Sequence, residues 1–271
     1  MPIVREPLDP KISMWHFLAV LMRFWREKTG LSLTQCGEII GAARSTVSNM
    51  EAGRRRPSDD QVRLLDRTYG TGILFQVLLW FARMAHDPDW GRQVDQYEKE
   101  ALSIKTYHGQ VVPLALQTDD YTHACIKASK FKDVEGITAL RLAKKQAYWE
   151  KEEELLTWTL IDEAVLARPV GGKQVMRKQL EHLLEKAALP HVSLRVVPFS
   201  SGEHVGVDGS VQILTLEDRD VAYSGAQNGG RLIETPREVR ELSHILDRIG
   251  VKAASEEASR QIIERYLETY S

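Results

Sequence analysis

The sequence predicts a chain in two parts, a mainly α N-terminal domain followed by an α+β domain with a mostly antiparallel sheet. Three observations predict this fold class. Apolar residues recur every three to four positions between residues 14 and 70, with glycine breaks, as in short amphipathic helices. Apolar and polar residues alternate in several short runs beyond residue 156, as in strands. The two parts also differ in charge. Residues 11–70 hold ten basic and six acidic residues and are net positive, whereas the whole chain has a net charge of −2, so that the remainder is net negative.

The composition is that of a folded globular protein, with 43% hydrophobic and 27% charged residues, and it excludes an intrinsically disordered chain. Cys36 and Cys125 are too few and too isolated for a disulfide framework, which indicates a reducing compartment. The longest apolar run, 72–82, is shorter than the roughly 20 residues that cross a bilayer. Residues 1–10 lack the apolar core of a signal peptide. We therefore expect a cytoplasmic protein without a membrane partner.

Four short helices are predicted in the N-terminal part, with serine N-caps at Ser32 and Ser58 and glycine breaks between the first three. Their predicted spans are 14–28, 33–40, 43–51 and a segment that begins after residue 58. In the third helix, Val47 and Met50 lie at core spacing. The opposite face of this helix consists of Arg44, Ser45, Ser48 and Asn49.

Two short helices joined by a tight glycine turn, the second with a polar outer face, are typical of a helix-turn-helix. Side chains of these types hydrogen-bond to phosphates and base edges, and the net positive charge of this part favours nucleic acid. The alternative interpretation is a helical bundle whose polar face is merely solvated.

The segment from Gly41 to Ser58 resembles the phage-repressor-like, or xenobiotic-response-element (XRE), helix-turn-helix family, whose pattern is G-x-S-x-x-x-[VI]-S-x-x-E-x-G-x-R-x-P. The matching positions are Gly41, Val47, Ser48, Glu51, Gly53, Arg55 and Pro57. Two positions depart from the family, since Leu33 stands where Gln is usual and Ala43 stands where Ser is usual.

The resemblance implies that the third helix lies in the major groove of DNA, with Arg44 suited to guanine and Asn49 to adenine. The implied DNA-binding residues are Thr34, Gln35, Arg44, Ser45, Thr46, Ser48, Asn49, Arg54 and Arg56. Among them, Arg54 and Arg56 would meet phosphates, and Thr34 or Gln35 would replace the missing amide. The resemblance also implies a structural pair between Glu51 and Arg55 that holds the following loop.

We expect a helix-turn-helix DNA-binding domain at 1–70, a connecting helix within 71–90 and an α+β regulatory or partner-binding domain at 91–271. The apolar connecting helix is expected to end at the Asp87-Pro88-Asp89 break. Further helices are predicted at 118–130, 135–153, 175–187, 236–248 and 255–270. Strands are predicted at 157–162, 192–197, 210–216 and 220–224, the last three separated by short turns that favour antiparallel pairing.

Short motifs follow one another along the C-terminal part, namely Ile104–Tyr107, Val112–Thr118, Asp162–Leu166, Arg168–Gly172, Val197–Phe199 and His204–Gly209. In order and spacing they resemble the domain of unknown function found behind this helix-turn-helix in many actinobacterial regulators. Those regulators are described as antitoxin-like, are often encoded beside a small partner protein, and are tied to development and antibiotic production. The sequence departs from the family at Leu114, at Val205 and near Gly225, where relatives usually have Gly, Pro and Glu.

No enzyme is expected from these residues. Serine, acidic and histidine side chains at 200–208 lie in one loop and lack the G-x-S-x-G motif of a hydrolase. The eight histidines show no metal-ligand spacing, and the glycine-rich turn at 168–173 is not a P-loop. We therefore expect no catalytic residue, no cofactor and no metal site.

The sequence thus predicts a nucleoid-associated transcriptional regulator whose partners are a double-stranded DNA operator and a second copy of the chain, because one recognition helix reads only half of a site. The candidate subunit contacts are the helix at 71–86 and the C-terminal helix with Ile262, Ile263, Tyr266 and Leu267. Two alternatives stay open for the C-terminal domain. It binds and neutralises a small protein encoded next door, with DNA binding as autoregulation, or it senses a small-molecule effector.

Overall fold

The structure is a computed structural model that describes residues 8–11, 13–84, 90–129, 131–150, 155–225 and 230–270. The described chain divides into two compact units, the first ending at Trp90 and the second beginning at Gly91. The N-terminal unit is helical, and the C-terminal unit combines helices with a six-stranded sheet. This is the fold class that the sequence predicts.

The described residues of the first unit form five helices, which are α1 (Met14–Lys28), α2 (Leu33–Ile40), α3 (Arg44–Glu51), α4 (Asp59–Tyr69) and α5 (Leu74–Met84). Ser32 and Ser58 cap α2 and α4 as predicted, and each forms a capping box with the glutamine three residues later. Ala43, predicted as the first residue of the third helix, instead precedes α3 as an N-cap without a side-chain hydrogen bond.

The core of the first unit lies among these five helices and is formed by buried apolar side chains such as Leu18, Met22, Val47, Leu65 and Phe75. The helix predicted as a connection, α5, packs against α1 and α4 within this unit. The buried Asp66 accepts hydrogen bonds from Phe75 N at 2.9 Å and Gln76 N at 3.1 Å, which fixes the start of α5. The predicted break at 87–89 lies outside the described residues.

The helices of the second unit are α6 (Trp90–Glu100), α7 (Asp119–Lys127), α8 (Val134–Trp149), α9 (Glu163–Ala167), α10 (Lys173–Lys186), α11 (Pro236–Lys252) and α12 (Glu256–Thr269). Its strands are β1 (Ser103–His108), β2 (Leu156–Asp162), β3 (Val192–Val197), β4 (Val211–Thr215), β5 (Asp220–Ser224) and β6 (Arg231–Ile233). Sequence periodicity missed β1, β6, α6 and α9. It found the others to within a few residues at each end.

The sheet has the order β3-β2-β1-β4-β5-β6 and is mixed. Both β1–β2 and β2–β3 are parallel, because α7 with α8 and α9 with α10 provide the crossovers that parallel neighbours require. The other three pairs, β1–β4, β4–β5 and β5–β6, are antiparallel. The sheet is therefore mostly antiparallel, as predicted, with a parallel half that the sequence did not indicate. The expected antiparallel pairing of the strand at 192–197 with the strand at 210–216 is wrong, because β3 lies at the sheet edge beside β2 and pairs with it in parallel.

Each face of the sheet has its own apolar core. Leu160, Ile213 and Ile233 pack with α11 on one face, while Ile161 and Leu194 pack with α10 and α12 on the other. Ile262 and Ile263 of α12 belong to this second core and are buried within their own unit. The hypothesis that these two residues contact a second subunit is therefore wrong, since packing on the sheet has already removed them from solvent.

Candidate nucleic-acid interface

The turn between α2 and α3 is built on two glycines. Gly41 ends α2 with a positive φ of 64°, a conformation that costs glycine little, and Ala42 N donates to Gly37 O at 2.8 Å. A β-carbon on Gly37 would overlap the carbonyl oxygen of Ala42. Close approach of the two backbones therefore requires glycine at position 37, and it fixes the angle between α2 and α3.

Helix α3 presents a polar face outward. Val47 and Met50 are buried in the core of the first unit, whereas Arg44 and Ser45 are exposed. The half-buried residues Thr46, Ser48 and Asn49 border this face. The structure therefore brings the five implied contact residues of α3 together on its outer side and flank. Hydrogen-bonding side chains on the outer face of a short helix are the arrangement that base readout in a major groove would require.

An ion pair joins the end of α3 to α1. Arg26 Nε and Nη2 donate to the two carboxylate oxygens of Glu51 at 2.6 and 2.8 Å, and Arg26 Nη1 donates to Leu31 O at 3.0 Å. The hydrogen bond to Glu51 raises the pKa of the Arg26 guanidinium above its ordinary value. The implied pair between Glu51 and Arg55 is wrong, because Arg26 occupies both oxygens of Glu51 and Arg55 is exposed.

The loop that follows α3 folds back over the end of the helix. Asn49 O accepts from Arg54 N at 2.8 Å and from Arg55 N at 3.2 Å. The side chains of this loop meet the helix again, since Arg54 Nη1 donates to Asn49 Oδ1 at 3.3 Å. Arg54 and Arg55 are both exposed, so that their positive charges lie beside the polar face of α3. Exposed guanidinium groups form charge-assisted hydrogen bonds with phosphate oxygens, so this loop offers positive charge to an anionic ligand.

Arg56 has a different environment from its two neighbours. Its guanidinium carbon lies 4.0 Å from the ring centroid of Trp15, in a cation–π contact with α1. The side chain of Leu8 lies against Gly53 and brings the N-terminal segment to the same loop. The sequence implied a phosphate contact for Arg56 and gave no sign of the contact with Trp15.

The two residues implied on α2 lie at its start. Thr34 is exposed. Gln35 is exposed as well, but its Oε1 accepts from Ser32 N at 2.9 Å in the capping box. The side-chain amide oxygen of Gln35, which would replace that of the family's glutamine, is therefore already engaged in the cap at the start of α2.

In the second unit, a polar cluster that the sequence did not indicate lies at the carboxyl end of β1 and β2. Asp162 Oδ2 accepts from Tyr107 Oη at 3.3 Å and lies 3.1 Å from His204 Nε2. Gly206 N donates to His204 Nδ1 at 3.1 Å, so both ring nitrogens of His204 are engaged. Phe199 N donates to the neighbouring Glu163 at 2.7 Å. These bonds fix the loop 198–209 to the sheet. Only the tertiary structure brings Asp162 to this loop.

Two family models match different parts of this chain. A model described as a domain of unknown function (DUF5753) matches residues 92–265, and a model described as a helix-turn-helix domain matches residues 18–73. The chain belongs to the DUF5753 family. This DUF5753 protein carries at its N-terminus the helix-turn-helix of a DNA-binding regulator. Neither a curated protein nor a solved structure matches the chain significantly.

The described part of this DUF5753 protein contains no helix long and apolar enough to cross a membrane. Within the same residues, no three histidine, cysteine, aspartate or glutamate side chains gather as ligands for a metal ion.

Proposed function

We propose that this DUF5753 protein is a sequence-specific transcriptional regulator of the XRE type that binds a double-stranded operator through α3. The outer face of α3 carries the proposal, because its polar side chains stand free of the core while Val47, Met50 and Glu51 anchor the helix from behind. A recognition helix held in this way presents base-reading groups without a large ordering cost. In this proposal the protein acts in the cytoplasm on the nucleoid.

The charge around the helix supports the same proposal. Arg44, Arg54 and Arg55 are exposed near α3, and the one carboxylate of the helix, Glu51, is bound to Arg26. Positive charge on this face attracts the phosphate backbone and supplies binding that does not depend on sequence. Base edges would then be read by Arg44, Ser45, Ser48 and Asn49, the groups that face the groove.

A dimer is part of the proposal, since two half-sites give an operator the length that specific recognition needs. Helix α5 and the residue before it supply a candidate surface, because Ile73, Val77, Trp80 and Phe81 are 65%, 38%, 57% and 49% exposed. Exposed apolar side chains in one patch are typical of interaction sites. Residues 73–82 include no charged residue, so two copies of this face can meet without repulsion between like charges.

We further propose that the second unit has no enzymatic role and instead receives a small partner protein or an effector, as in antitoxin-like regulators. The motifs between Ile104 and Gly209 that resemble such regulators support this role. His204 has a structural role in this proposal, because its Nδ1 accepts from Gly206 N at 3.1 Å and its Nε2 lies 3.1 Å from Asp162 Oδ2, contacts that hold the loop 198–209.

The proposal is tested by titration of the purified full chain against its own upstream promoter and against shuffled DNA of equal length at physiological salt. We expect a ratio of dissociation constants of about 10³ or more in favour of the promoter. Equal affinity for both DNAs contradicts the proposal. The variant Arg44→Ala serves as the site control, and Arg177→Ala, at an exposed position of α10 that pairs with Glu181, serves as a control for the loss of one positive charge outside the first unit.

A further inference from the structure

The hydrogen bond between Arg54 and Asn49 has a consequence for the base that Asn49 reads. A free asparagine pairs with adenine through both ends of its amide, because the oxygen accepts from N6 and the nitrogen donates to N7. In this structure Asn49 Oδ1 accepts from Arg54 Nη1 at 3.3 Å, and the oxygen end of the amide is therefore turned toward the loop.

The backbone holds Arg54 in the position that this bond requires. Asn49 O accepts from Arg54 N at 2.8 Å and from Arg55 N at 3.2 Å, so that the loop closes directly onto residue 49. Gly53, with a φ of 66°, provides the turn that brings the chain back. The contact between the two side chains is thus an outcome of the loop geometry as well as of their chemistry.

With the oxygen end of the amide turned away, the Asn49 NH₂ group is the part that can face a base. Two donors suit the edge of guanine, which presents only acceptors at N7 and O6 in the major groove. Adenine presents an amino group beside its N7, which opposes a second amino group. The guanidinium of Arg54 has five N–H groups and keeps others available for a phosphate.

We propose that Arg54 is a positioning residue that determines specificity. It holds the Asn49 amide so that Asn49 prefers guanine to adenine at the base pair that it contacts. This inference rests on the proposed function, since it concerns the operator bound by α3. In this proposal Arg54 both positions Asn49 and contacts the DNA backbone, since one N–H is directed to Asn49 and the others to the phosphates.

The test is selection of binding sequences from a randomised duplex library by the full chain and by four variants, which are Asn49→Ala, Arg54→Met, Arg55→Met and the double variant Asn49→Ala/Arg54→Met. Arg55→Met is the matched control, because it removes the same charge from the adjacent exposed position, where the backbone N–H bonds to Asn49 O and, among the described residues, no side-chain hydrogen bond joins Arg55 to Asn49. Thermal unfolding of each variant verifies that the first unit is folded.

Asn49→Ala identifies the base pair in question as the one whose preference disappears. At that base pair we expect the native chain to bind guanine about tenfold more tightly than adenine. We expect Arg54→Met to lower this ratio by about tenfold, so that the preference for guanine disappears or reverses. Arg55→Met is expected to leave the ratio unchanged while weakening all sequences alike. The double variant is expected to show the same flat profile as Asn49→Ala.

The inference is overturned if the native chain favours adenine at this base pair, if Asn49→Ala alters no position, or if Arg54→Met and Arg55→Met give the same profile. In each of these cases a native chain that still selects an operator leaves the proposed function intact. A native chain that selects no sequence contradicts the proposed function, and the role of Arg54 with it.

Discussion

Arg26 of α1 and Glu51 of α3 form a bidentate ion pair, with donor–acceptor distances of 2.6 and 2.8 Å, and their side chains are only 12% and 7% exposed. The pair is nonlocal, since its members lie 25 positions apart in the sequence. It fixes the end of α3 to α1, and the hydrogen bond from Arg26 Nη1 to Leu31 O also holds the turn before α2. The orientation of α3 therefore depends on a residue of α1, outside α2, α3 and the turn that joins them.

Replacement of Glu51 by Gln is expected to destabilise the first unit by about 3–5 kcal/mol, because it leaves the Arg26 charge buried without its partner. The measurement is urea unfolding of the full chain, with hydrogen exchange of the α1 and α3 amides to locate the change. The control is Asp60→Asn, which breaks the exposed pair of Asp60 with Arg63 on α4 and should cost far less, because exposed ion pairs contribute little to stability. Equal effects of the two variants would show that the Arg26–Glu51 pair has no special role.

Gly37→Ala is expected to destabilise the first unit by about 1–3 kcal/mol and to weaken DNA binding, because the added methyl group must displace the backbone at Ala42. The control is Glu38→Ala, one position further on α2, where the side chain is exposed and the change should stay within about 0.5 kcal/mol. Thermal unfolding measures the first effect, and promoter titration measures the second. A Gly37→Ala chain as stable as the native one would contradict the close approach of α2 and α3.

Arg44→Ala is expected to weaken operator binding by about 1–3 kcal/mol and to remove the preference at one base pair, because a bidentate contact with guanine would be lost. The matched control is Arg63→Ala on α4, an exposed arginine that pairs with Asp60. Titration against the operator and against single-base variants measures both affinity and preference. Uniform weakening on all of these DNAs would place Arg44 on the phosphate backbone instead of in the groove.

Val77→Glu combined with Trp80→Glu is expected to weaken self-association at least tenfold, because a charged pair would enter the apolar face of α5. Both native side chains are exposed, so the fold of the first unit should tolerate the change. Sedimentation equilibrium measures the association. Val251→Glu, at an 84% exposed position of α11, is the control. A native chain that is monomeric when bound to a complete operator would exclude this surface as the dimer contact.

Burial lowers the pKa of His108, at the end of β1, from its ordinary 6.5 to about 4. The unfolded chain therefore takes up a proton at a higher pH than the folded chain does. The contribution of the neutral imidazole to stability is complete above about pH 7 and is lost as the pH falls from 6.5 toward 4. The loss is on the order of 1–3 kcal/mol.

His108→Gln is expected to flatten the pH dependence of the free energy of unfolding between pH 4 and pH 6.5. His244→Gln, at an exposed position of α11, should leave that dependence unchanged. Urea unfolding at a series of pH values, followed through the second unit, makes the comparison. An unchanged slope for His108→Gln would show that the folded chain protonates His108 without cost.

Local signals in the sequence were sufficient for most helices. Ser32 and Ser58 each form the predicted cap, and Gly41 ends α2 as a left-handed residue, because these effects depend on neighbours within four positions. Strand β1 was missed although its burial alternates in part, and β6 was missed because three residues are too few to show a period. The parallel half of the sheet depends on crossovers through helices, which periodicity along the chain does not report.

The sequence by itself determined the helix-turn-helix, the outward residues of α3 and the α+β class of the second unit, since these follow from spacing and from local conformational preference. Only the tertiary structure decided that Glu51 pairs with Arg26, that Arg56 lies on Trp15 and that Asp162 meets His204. Each of these contacts joins residues at least 25 positions apart, and such contacts form where packing brings two elements together. A side chain with several chemically suitable partners takes the one that the fold places within reach.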